Sequence, residues 1–118
     1  MRAITCVLIA ALSAMTVSCA SHPPPTDNLA SAIAAVRGAQ EAGAGRVPKA
    51  ALQLKLAEEQ VAQARAMMKD GQNERADYMT LRAYNDAELA LALAREEQAN
   101  SHAEDAAKAA TAIEAPHP

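Results

Sequence analysis

The chain has no phenylalanine and no tryptophan, and its only aromatics are Tyr78 and Tyr84. Aromatic side chains carry much of the buried area in most small domains, so a core here must rest on aliphatics and be thin. The same shortage removes the usual stacking platform for bases or sugars. Basic residues are also too few and too scattered for phosphate binding: 11 Lys and Arg stand against 14 Asp and Glu, with no cluster. That balance argues against a nucleic-acid partner. Long apolar runs are missing as well. The apolar stretch from Ala3 to Val17 falls short of the roughly 20 apolar residues needed to cross a membrane, and it contains Thr5, Ser13 and Thr16.

That run does have the layout of an export signal: Arg2 precedes it, and small residues lead from it into Cys19. Thr16-Val17-Ser18-Cys19 resembles the lipobox of bacterial lipoproteins, with Thr16 where that pattern favours leucine. Three readings compete here: a lipoprotein signal over residues 1–18, an ordinary secretory signal cleaved near Ala20, and an uncleaved anchor. The first is preferred, because Cys19 closes the apolar run and a proline-rich spacer follows it. Cys6 would be lost with the signal, leaving Cys19 as the only mature thiol and no internal disulfide. The lipobox resemblance implies several acyl chains on Cys19, and multiple chains hold a protein stably where one does not. Ala20, not aspartate, follows the cysteine, which by the rule of enteric lipoproteins implies the outer membrane, facing the periplasm. Loss of Arg2 takes the formal charge from -3 to -4.

Residues 19–26 then read as a lipidated cysteine and a polyproline-type spacer, holding the folded part on the order of 20 Å from the lipid. Thr26 or Asp27 is the expected N-cap of a first helix over 27–42, with Leu29, Ile33, Val36 and Gln40 on one stripe and Ala32 and Ala39 filling it. Gly43, Gly45 and Pro48 stop this helix. Pro48 suits the first turn of a second helix, which runs to Lys69 with Leu54, Ala57, Val61, Ala64 and Met68 as its seam. Gly71 caps the turn after it. A third helix starts near Asn73 with a seam of small residues, Ala76, Thr80, Ala83, Ala87, Ala90 and Ala94, and a fainter helical tendency continues to about 110. Residues 111–118 read as a disordered tail. The expected fold is all-α: an antiparallel helical hairpin with an additional N-terminal helix, three helices in all, tetratricopeptide-like or coiled-coil-like.

The stretch from Asn28 to Ala99 resembles a family of alanine-rich bacterial envelope lipoproteins, known as domain of unknown function 4398. The residues that carry the likeness are Leu29-Ala30, Ala32-Ile33, Ala39, Ala42, Pro48, Leu56-Ala57, Ala64-Arg65, Asp70-Gly71, Ala76 and above all Asp86-Ala87-Glu88-Leu89-Ala90. Members of that family are short envelope lipoproteins, or precede a peptidoglycan-binding domain like that of outer membrane protein A. The resemblance implies a fold and a location, and no activity.

Catalytic chemistry has little to rest on. His22, His102 and His117 lack a spacing that would aim two imidazoles at one ion, no Ser/His/Asp set is present, and no cofactor motif is found. Arg82 and Asp86 share a helix face as an i,i+4 pair, for which a solvated or interhelical salt bridge is the plain expectation. Tyr78, Arg82, Asp86 and Leu89 are the candidate interaction residues, and Met67, Met68 and Met79 are expected to fill gaps near the turn. The leading expectation is a non-enzymatic periplasmic adaptor or structural lipoprotein, held to the membrane by lipid on Cys19 and docking a protein partner or a second copy. A carrier of a small ligand or lipid is the alternative. Direct contact with peptidoglycan is a third reading and is disfavoured.

Overall fold

A computed structural model of the chain describes residues 21–114, and the signal segment, Cys19 and residues 115–118 lie outside that range. Among the described residues the fold is all-α. Helix α1 spans Thr26–Glu41, a single 3-10 turn spans Ala44–Arg46, α2 spans Pro48–Lys69 and α3 spans Asn73–Glu114. The three helices pack on one another up, down and up, with α1 and α3 parallel and α2 antiparallel to both.

Each boundary has a local cause. Gly43 and Gly71 hold φ of 78° and 72°, the left-handed conformation that L side chains resist. After α2 the Gln72 N–H donates to the Met67 carbonyl and the Gly71 N–H to the Met68 carbonyl, the paired bonds of a Schellman stop. Val47 is extended, as a residue before proline must be, and Pro48 opens α2 where its missing N–H costs nothing. The start of α1 departs from expectation. Neither Thr26 nor Asp27 caps it: Pro25 is the N-cap, with no side-chain cap bond, and the Pro25 carbonyl accepts from the Leu29 N–H. The Thr26 N–H is taken instead by the Pro24 carbonyl at 2.9 Å.

The seam of α3 is the expected one. Ala76, Thr80, Ala83, Ala87, Ala90 and Ala94 are all fully buried, and on α2 Leu54, Ala57, Val61 and Ala64 face them with Ala50 and Gln60. Met67, Met68 and Met79 are half-buried at the turn end. Thr80 is the largest fully buried side chain among the described residues, and its hydroxyl is satisfied by donating to the Asp77 carbonyl at 2.7 Å. With alanine at nearly every crossing, the helix backbones come close and little side-chain entropy is lost, but each methyl removes little apolar area from water. Helix α1 adds Ala32, Ala35, Val36 and Ala39. Gln40, expected on that stripe, is exposed and reaches across to donate to Glu58 at 2.6 Å.

Burial along α3 ends at Ala94, and residues 95–113 are all exposed. Gln98 is the last residue seen to bond the bundle, donating to the Ala42 carbonyl at 2.8 Å. Beyond it the polar contacts among described residues are local: Lys108 lies 3.8 Å from Asp105, and Thr111 donates to the Lys108 carbonyl. The helix runs past the expected limit of 110 to Glu114, because the alanine-rich run favours helix.

Candidate functional site

Cys19, the expected lipidation site, lies outside the described residues, but the chain leaving it does not. The proline segment is docked on the bundle and does not stand off as an extended spacer. The Asn73 side chain donates to the His22 carbonyl at 2.8 Å, His22 Nε2 lies 3.7 Å from Asp77 Oδ2, and Pro25 is buried. Asn28 on α1 donates to the same Asp77 carboxylate. The first turn of α3 thus holds both the spacer and the start of α1. Two polar residues cost the segment its reach: Asn73 supplies the donor and Asp77 the acceptor that a free polyproline strand would otherwise find in water.

The four interaction candidates divide between two roles. At 100° per residue, Tyr78, Arg82 and Leu89 fall within about 40° of each other, on the side of α3 away from its seam. All three are exposed, Tyr78 at 66% and Leu89 at 46%. Asp86 is turned instead toward α2, where Gln60 Nε2 donates to its Oδ2 at 2.7 Å. No Arg82–Asp86 ion pair forms among the described residues; the carboxylate belongs to an interhelical bond. Gln60 is only 7% exposed, and its Oε1 has no partner. Sequence reading missed Gln60. The signal was present in its position beside Val61, at the edge of an otherwise apolar seam.

Two surface features flank this bond and its opposite side. On the Gln60–Asp86 side of the hairpin, Leu56 sits one turn before Gln60 and Leu89 three residues after Asp86, with Leu52 a further turn along α2; Leu52 is 58% exposed. Helix α1 packs on the other side, against Glu58, Val61 and Arg65 of α2, so nothing in the described fold covers these leucines. Between α1 and α3, Asn28, Ser31, Asp77, Tyr78, Leu81 and Tyr84 line an open groove of about 340 Å3 that includes both tyrosines. Its walls offer hydroxyls, one carboxylate and two aromatic faces, a surface for contact and not an enclosed reaction chamber.

Among the described residues no three His, Cys, Asp or Glu side chains converge as metal ligands, and no helix is long and apolar enough to cross a membrane. No curated protein and no solved structure matches the chain. A family model does match, that of a domain of unknown function (DUF4398), over residues 27–106. Of the helices, the matched range leaves out only Thr26 and the last turns of α3. Covering more than half of the sequence, that match places the chain in the DUF4398 family.

Proposed function

We propose that this protein is a lipid-anchored, non-enzymatic adaptor or structural component of the cell envelope, attached through Cys19 to the outer membrane and facing the periplasm. The observation that carries the adaptor reading is the uncovered face of the α2–α3 hairpin, where Leu52, Leu56 and Leu89 remain exposed around the Gln60–Asp86 bond. Leu91 and Leu93, by contrast, are half-buried against the core. Exposed leucines around a desolvated polar centre fit a surface that docks a protein or a second copy of the chain. Photo-crosslinking in cells from Leu89, and from Arg82 on the same outward face, tests this. Adducts to one protein or to a second copy are expected, with none from Arg37 on the far side; only lipid or solvent adducts from Leu89 would overturn the reading.

Anchoring is tested separately. Cys19→Ser should release a folded helical domain from the membrane fraction, and retention there would end the lipoprotein reading. The alternative, a carrier of a small ligand or lipid, draws on the groove holding Tyr78 and Tyr84. Native mass spectrometry of protein purified from membranes decides it, since a carrier retains a bound species.

A further inference from the structure

We infer that the bundle stands on the bilayer with the α2–α3 turn as its foot and residues 101–114 as its far end. The inference rests on acylation of Cys19, and it begins with the docked spacer. From His22 onward the chain is fixed to the first turn of α3: Asn73 holds the His22 carbonyl, Asp77 faces the imidazole, and the Pro24 carbonyl accepts from the Thr26 N–H at 2.9 Å. Three peptide units separate Cys19 from His22. At 3.8 Å between successive Cα atoms they span at most about 11 Å. An acylated Cys19 therefore brings Asn73, Asp77 and the adjoining turn at Asp70 and Gly71 close to the headgroups.

Direction follows from topology. Helices α1 and α3 both leave the foot in the same sense, and the 42 residues of α3 rise about 63 Å at 1.5 Å each. Charge keeps the far end away from the surface. Residues 95–114 hold Glu96, Glu97, Glu104, Asp105 and Glu114 against Arg95 and Lys108, so they carry most of the mature chain's net negative charge. Anionic headgroups repel such a segment and attract only basic ones. The bilayer thus meets the foot, and the acidic end of α3 is presented on the order of 60 Å above it.

The test uses the full-length protein, expressed in cells and transferred in acylated form to vesicles of phosphatidylethanolamine and phosphatidylglycerol. Asp70→Cys and Ala110→Cys, both at exposed positions, each receive a fluorophore, and lipids bearing a headgroup quencher report proximity. Quenching at position 70 is expected to exceed that at position 110 several-fold. Equal quenching, or stronger quenching at 110, overturns the orientation. Mass spectrometry of Cys19 on the same samples separates the two ways to fail: an unacylated cysteine removes the anchor, and an acylated one with equal quenching removes only the upright stance. In the Asn73→Ala/Asp77→Ala variant the spacer is freed, so quenching at 70 should fall while acylation and membrane attachment persist.

Discussion

Helix α3 contains two alanine-rich lengths with opposite fates. From Ala76 to Ala94 every alanine but Ala92 is fully buried; from Ala99 to Ala110 they are all exposed. The first also carries Leu81, Leu89, Leu91 and Leu93, and the second has no leucine. The difference is the length of the neighbour: α2 has 22 residues, and counting 22 residues from the start of α3 ends at Ala94. Alanine can fill a seam or clothe a solvated rod, and which it does is decided by whether another helix is alongside. The upper length also lacks the tertiary packing that normally holds a helix, so its order rests on alanine propensity and on continuity with the packed part.

The comparison can be broken most directly by enlarging one alanine in each length. Ala87→Leu forces a larger side chain into a closed seam and should cost about 1–3 kcal/mol or more, whereas Ala106→Leu should stay within about 0.5 kcal/mol; urea denaturation followed by circular dichroism reads both, and equal costs would refute the seam. Next in size is Asp86→Ala, which leaves Gln60 buried with neither polar end paired. A loss of about 1–3 kcal/mol is expected, and a double-mutant cycle with Gln60→Ala should show coupling. Gly71→Ala places a Cβ at φ 72° and should lower stability by about 1–2 kcal/mol, seen as a shifted midpoint with an unchanged denaturant slope. The smallest effect belongs to truncation after Asn100. Helical ellipticity should fall in proportion to the residues removed while the midpoint holds, and amide exchange in residues 101–114 of the intact chain should be far faster than at Ala83 or Ala87.

Much of the fold was legible because alanine-rich helices announce their ends with glycine and proline. Gly43, Pro48 and Gly71 placed the turns, and the three- and four-residue steps of small residues placed the α3 seam. What could not be read depended on contacts between residues far apart in the chain. Asn73 with His22 and Asn28 with Asp77 join positions about fifty apart, and no local pattern marks either pair. The spacer looked free because three prolines have no intrinsic partner, and only the tertiary placement of Asn73 and Asp77 shows it docked. For Asp86 the local pattern offers Arg82, four residues away, as a partner, but Gln60 on the neighbouring helix is the group that bonds it. Helix α3 ran beyond its expected end because a lack of packing neighbours does not terminate an alanine helix.

A core in which no described side chain larger than threonine is fully buried has a thermodynamic consequence. The heat capacity gained on unfolding scales with the apolar surface exposed, about 12–15 cal/mol/K per residue in ordinary domains. Here methyl groups replace the usual leucines and phenylalanines, so the increment per residue should be lower. The curve of stability against temperature is then shallow: its maximum is modest, but it falls away slowly on both sides, and calorimetry should find a broad transition of low enthalpy.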